Sequence, residues 1–74
     1  MDKKVKDLHT KLADVYNTMW EAYKKYLEDY SVRHINSAAD TLEEKYRDDK
    51  TVLQFIWYQK TSWSAVVLRI GEWS

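Results

Sequence analysis

The chain has 74 residues, twelve basic and twelve acidic side chains, a pI near neutrality, and no Cys or Pro. The absence of Cys excludes disulfides and thiolate metal sites, and two histidines are too few for a structural zinc site. Balanced charge argues against a general attraction to nucleic acid or an anionic membrane. We therefore predict one domain, residues 1–74, stabilised by packing and association, with no cofactor and no metal.

The first thirty residues carry the clearest pattern. Apolar side chains at alternating spacings of three and four form one stripe: Val5, Leu8, Leu12, Val15, Met19, Ala22 and Tyr26. Four more widen it on one side: Tyr16, Tyr23, Leu27 and Tyr30. Charged residues occupy most of the remaining circumference. This pattern predicts an amphipathic helix from about residue 3 to residue 30.

A second apolar set follows with the same spacing: Val32, Ile35, Ala39, Leu42 and Tyr46. If the first helix simply continued, this set would lie on nearly the opposite face, so we expect a turn over residues 30–33. Ser31 is a candidate N-cap, and Asn36 or Ser37 is an alternative start. The second helix is predicted to end near Arg47.

Residues 51–70 are the most apolar stretch and allow two interpretations. As a helix, one face holds these residues: Val52, Phe55, Ile56, Gln59, Trp63, Val66, Val67 and Ile70. Asp49 or Thr51 would cap its start, Arg69 suits the last turn, and Gly71 is placed as a C′ glycine. As a β-hairpin, the β-branched and aromatic content fits, but the turn would lack Gly, Asn, Asp and Pro.

End signals and helical phase favour the helix. The predicted fold is all-α, a small three-helix bundle whose long first helix is antiparallel to the other two. The alternative is α+β, with two helices followed by a C-terminal β-hairpin.

The third segment has more apolar residues than one core-facing side can use. A helix that is apolar nearly all round is normally buried on all sides, and two other helices cannot surround it. We expect a partner to cover the surplus residues, together with two at the border of the first helix: Leu53, Trp57, Tyr58, Leu68, Trp20 and Leu27.

These features predict a non-enzymatic protein–protein interaction module of the accessory, inhibitor or adaptor type. It would self-associate through the aromatic face of its C-terminal segment and could also bind a larger target protein. No catalytic motif is visible, and the carboxylate pairs at 43–44 and 48–49 point in different directions on a helix. A small enzyme of unknown chemistry is one alternative. A nucleic-acid-binding protein is another, using Lys3, Lys4, Lys6 and Lys11.

Two further expectations concern location. Polar residues interrupt the stretch 51–70 too often for a membrane-spanning helix, which needs about 20 mostly apolar residues. The N-terminal residues lack the apolar region of a secretory signal. A cytoplasmic protein is therefore expected.

Overall fold

A computed structural model describes residues 2–73 as three α-helices. Helix α1 spans Lys3–Asp29, α2 spans Arg33–Lys45 and α3 spans Lys50–Trp73. No strand occurs within the described range. The all-α prediction is confirmed, and the alternative with a C-terminal β-hairpin is wrong.

Helix α1 has a clear signal at each end. The carboxylate of Asp2 accepts a hydrogen bond from the Lys4 backbone N–H at 2.8 Å, which satisfies one of the free donors of the first turn. At the other end Tyr30 adopts the left-handed conformation, with φ 57°, and its N–H donates to the Tyr26 carbonyl. This single residue turns the chain out of α1, where a glycine would be more usual.

The predicted N-cap of α2, Ser31, lies one residue before the observed N-cap. Val32 is the N-cap position and offers no side-chain hydrogen bond. The Ser31 hydroxyl nevertheless accepts a hydrogen bond from the Arg33 N–H at 3.3 Å, so it assists the same turn. The alternative start at Asn36 or Ser37 is wrong, because both lie inside the helix.

The directions of the helices follow from contacts near their ends. Lys45, at the end of α2, forms an ion pair with Asp14 of α1 at 2.8 Å, so α2 runs antiparallel to α1. Lys11 pairs with Asp49 just before α3, and Tyr23 stacks on Trp63 further along both helices. Helices α1 and α3 are therefore parallel. The prediction that α1 opposes both is wrong for α3, because two short connections reverse the chain twice.

Nine residues form the buried core between the three helices: Val15, Met19, Ala22, Tyr26, Ile35, Ala39, Leu42, Val52 and Ile56. All nine lie on the predicted apolar stripes. Helix α2 has 13 residues, against 27 in α1 and 24 in α3. At 1.5 Å per residue it is about 20 Å long, roughly half the length of its neighbours. Helix α2 lies along α1 from about Asp14 to its C-terminus and along the first part of α3, so the N-terminal end of α1 and the C-terminal end of α3 are less covered.

The two ends of α3 differ from each other. At its start, the Asp49 carboxylate accepts a hydrogen bond from the Val52 N–H at 3.2 Å, which confirms Asp49 as a cap. At its end, Gly71 does not have a positive φ and lies inside the helix, which continues to Trp73. The prediction of Gly71 as a C′ glycine is wrong. The last turn of α3 therefore places Trp73 on a helical surface.

Candidate functional site

A polar groove separates α1 from α2. It has a volume of approximately 530 Å³ and is open to solvent. Its polar lining comes from both helices: Asn17, Glu21 and Lys25, with Arg33, His34 and Ser37. No polar side chain within residues 2–73 is fully buried, and none there has a buried polar atom without a hydrogen-bond partner. The groove is lined by solvated charges and has no polar group held ready for a ligand.

Asp14 connects α1 to the end of α2. Its carboxylate accepts hydrogen bonds from the Lys45 ammonium at 2.8 Å and from the Tyr46 hydroxyl, and a longer one from Thr18. The hydrogen bonds from Lys45 and Tyr46 hold the pKa of Asp14 below its ordinary value. Burial and the bond to Asp14 raise the pKa of Tyr46. This cluster stabilises the pairing of α1 with α2.

The two histidines lie apart from each other. His34 Nε2 is 2.8 Å from the Asp29 carboxylate across the first turn, and that hydrogen bond lowers the pKa of Asp29. His9 is exposed on α1. Within residues 2–73 there is no group of three or more His, Asp or Glu side chains placed to bind a metal.

Three of the predicted interface residues lie on the side of α3 away from α1, which we call the outer α3 face: Trp57, Tyr58 and Leu68. Their exposed fractions are 52%, 72% and 71%. Leu68 lines a small groove with Val32 at the start of α2. Trp57 and Leu68 are eleven residues apart, which places them on nearly the same side of the helix.

Leu53 differs from these three. It is half-buried and packs against the core, so the prediction that it points away from the core is wrong, while its place in an interface stays a prediction. Its position on the side of α3 that faces α2 explains this, because α2 ends beside the start of α3. Conversely Val66, predicted as core, is exposed. Both errors come from assuming that α3 is covered evenly along its length.

Trp20 and Leu27 lie on a different surface, beside the contact of α1 with α3. The Trp20 ring lies 5.4 Å from Tyr23 and 5.9 Å from Trp63, and Tyr23 stacks on Trp63 at 4.6 Å. The Trp63 indole N–H donates to Gln59 at 3.1 Å. These three rings join α1 to α3, and Trp20 remains partly exposed above them. The six predicted interface residues therefore do not form one site.

Further exposed apolar residues extend this second surface, which we call the α1–α3 face: Tyr16, Trp20, Leu27 and Tyr30 from α1 and its C-cap, with Val66 and Trp73 from α3. Four of them were not predicted as interface residues: Tyr16, Tyr30, Val66 and Trp73. The sequence nevertheless contains a pattern that indicates the α1 part of this face. Beside the core stripe, α1 has a second stripe with strict three–four spacing: Ala13, Tyr16, Trp20, Tyr23, Leu27 and Tyr30. Such spacing is typical of a helix that contacts two neighbours.

The proposed nucleic-acid site is less basic than its sequence indicates. Lys11 forms an ion pair with Asp49 at 2.9 Å, and the bond raises the pKa of Lys11. Lys3, Lys4 and Lys6 are exposed and form no ion pair with any residue in the range 2–73. The ring cluster of Trp20, Tyr23 and Trp63 lies several turns away from these lysines, measured along α1.

In the part of the chain that the structure describes, no helix combines the length and the apolar character needed to cross a membrane. Comparison with protein-family models, curated proteins and solved structures finds no match.

Proposed function

We propose that this chain is a non-enzymatic protein-interaction module that binds protein through its exposed aromatic residues. The observation that carries the proposal is the number of large apolar side chains left uncovered by so small a bundle. Among residues 2–73 eleven are exposed, including three of the four tryptophans. Contiguous apolar surface on a small protein is typical of a binding site, and Trp and Tyr contribute most to binding energy at such sites.

The outer α3 face is suited to a partner of opposite charge. From residue 50 to residue 71 the chain carries Lys50, Lys60 and Arg69 and no acidic residue, and of these three Arg69 forms an ion pair with Glu72 at 3.2 Å. Lys50 is seven residues before Trp57 and shares its side of the helix. A partner surface with apolar residues bordered by Asp or Glu would match this face in both polarity and charge.

The test uses a pair of variants that keep the helix. Trp57→Ala combined with Leu68→Ala removes the apolar part of the outer α3 face, while Gln54→Ala combined with Thr61→Ala changes exposed polar neighbours on the same surface. We expect proteins retained from host extract by the immobilised wild-type chain to be retained by the polar control and lost with the apolar variant. Helical circular dichroism should be unchanged in both.

The proposal would be contradicted if both of the following results were obtained. One is a wild-type chain that stays strictly monomeric up to about 1 mM, a concentration at which even weak interfaces associate. The other is an extract in which wild-type chain and apolar variant retain the same proteins. Unfolding of the apolar variant would instead assign Trp57 and Leu68 to the core, which also contradicts the proposal.

A further inference from the structure

Resting on the proposed function, we infer that a second copy of this chain covers the α1–α3 face. The two copies would pack antiparallel, so that α1 and α3 of each protomer form a four-helix interface. The inference depends on the spacing, the charge and the area of this face, and on the charges at the ends of α1.

The spacing of apolar residues favours a helical partner. The second stripe of α1 repeats every seven residues from Ala13 to Tyr30, one position away from the core stripe. Helix α3 has a matching stripe: Val52, Ile56, Gln59, Trp63, Val66, Ile70 and Trp73. Its first members are buried, whereas Val66 and Trp73 are exposed. Such seven-residue repeats on neighbouring helices are what packed helix bundles use.

Charge decides between a second copy and another protein on this face. Neither stripe contains a charged residue over its exposed part. Two identical surfaces can therefore meet without bringing like charges together. On the outer α3 face the same arrangement would bring Lys60 of one copy near Lys60 of the other, which is unfavourable. Self-association consequently fits the α1–α3 face better than the outer α3 face.

The exposed area is close to what a stable dimer requires. A fully buried Tyr or Trp side chain covers roughly 150–250 Å². With Tyr30 63% and Trp73 75% exposed, the six residues of the face expose roughly 600 Å² of apolar surface in total. A stable interface buries about 800 Å² on each partner, part of it polar. The face reaches that size once the polar atoms between its rings are included.

The ends of α1 favour the antiparallel orientation. Lys3, Lys4 and Lys6 lie at the N-terminus, where the helix dipole is already positive, and Glu28 and Asp29 lie at the negative end. Because α1 and α3 are parallel, their dipoles add. An antiparallel second copy would turn its acidic ends toward these lysines. This antiparallel orientation would offset the helix dipoles. It would also offset the charges that lie at the unfavourable ends of α1.

Tyr30 gives independent support. It is the only residue other than glycine with a positive φ in the range 2–73, a conformation that costs about 1 kcal/mol or more for a residue with a Cβ. Its ring contacts Tyr26 edge-on at 5.7 Å but is largely exposed. A glycine would fit this backbone with less strain, whereas the exposed ring continues the seven-residue stripe of α1.

The decisive experiment is sedimentation equilibrium on the full chain with matched variants. Tyr16→Glu and Leu27→Glu each place a charge on the α1–α3 face, and Trp57→Glu and Leu68→Glu do so on the outer α3 face. All four positions are exposed, so each monomer should stay folded by circular dichroism. We expect a wild-type monomer–dimer equilibrium at or below about 1 mM. The dimer dissociation constant should rise roughly tenfold or more for the first pair and less than about threefold for the second.

Single cysteines test the orientation, since the natural chain has none. Positions 13 and 27 are about 21 Å apart along α1. Oxidising a mixture of Ala13→Cys and Leu27→Cys chains should give the mixed dimer in an antiparallel pair, and little of either homodimer. Dominant homodimers would overturn the orientation. A wild-type monomer, or a dimer lost only with the outer-face variants, would overturn the inference. If such a monomer still retained protein through Trp57 and Leu68, the proposed function would stand.

Discussion

Helix α1 has two borders, one along α2 and one along α3, and their chemistry differs. The α2 border is joined by Asp14 with Lys45 and Tyr46, and its groove is lined by solvated polar groups. The α3 border is joined by stacked rings and exposes Tyr16 and Trp20 to solvent. A border made of charged groups needs no further surface once each charge is paired or hydrated. An aromatic border is stabilised further by any surface that removes it from water.

Because their contacts differ in chemistry, the two borders should respond differently to mutation. On the α3 border the contacts within one chain come mainly from apolar area. On the α2 border, outside the buried core that both borders share, they come from hydrogen bonds to a partly exposed carboxylate, which are weaker in water. Three substitutions test the contrast, in order of decreasing effect.

The largest effect is expected for Trp63→Ala. This change removes the stack with Tyr23 and the hydrogen bond to Gln59 from a half-buried ring. The free energy of unfolding should fall by about 2–3 kcal/mol, below the range for a fully buried tryptophan. Urea denaturation followed by circular dichroism measures it. Tyr58→Ala, on the exposed side of the same helix, should change stability by less than about 0.5 kcal/mol. Equal losses of unfolding free energy for Trp63→Ala and Tyr58→Ala would contradict this prediction.

A smaller effect is expected for Asp14→Asn on the α2 border. A carboxyl whose pKa is lowered by folding stabilises the fold above its ordinary unfolded pKa of about 3.9. That contribution is lost as pH falls through the lowered folded value. Because Asp14 is about one-third exposed, the loss at pH 7 should be about 1 kcal/mol or less. As pH falls below that lowered folded pKa, the variant and the wild type should converge in stability.

The control for this prediction is Asp40→Asn. Asp40 is exposed on α2 and has no hydrogen bond or ion pair with residues in the described range. Its stability difference from wild type should be near zero at both pH values. Denaturation midpoints at pH 7 and pH 2.5 provide the comparison. A difference for Asp14→Asn that persists at acid pH would mean that packing, not charge, is responsible.

The smallest effect is expected for Gly71→Ala. No atom lies within 4 Å of the position that a Cβ would take, and the backbone is helical there. Alanine should therefore stabilise the last turn of α3 by up to about 0.5–1 kcal/mol, since glycine is a poor helix former. Thermal unfolding would detect this as a small increase in Tm. A decrease would show that α3 ends before Gly71, which would remove Trp73 from the α1–α3 face.

Much of the fold could be predicted from particular residues. The spacing of Val15, Met19, Ala22 and Tyr26 predicted both α1 and its buried side. Asp49 predicted the start of α3 because a carboxylate there can accept from a free N–H. Gly71 led to a wrong prediction for the end of α3, since glycine permits a helix end without requiring one. The interface set was only partly predictable, because exposure depends on which neighbour lies beside each residue.

The sequence by itself determined that three amphipathic helices form and which side of each is apolar, because these properties depend on neighbours three and four residues away. Only the tertiary structure decided that α1 and α3 are parallel, that Leu53 is covered, and that Val66 is exposed. Those outcomes depend on the length of α2 and on contacts between residues distant in the chain. Helical periodicity contains no information about either.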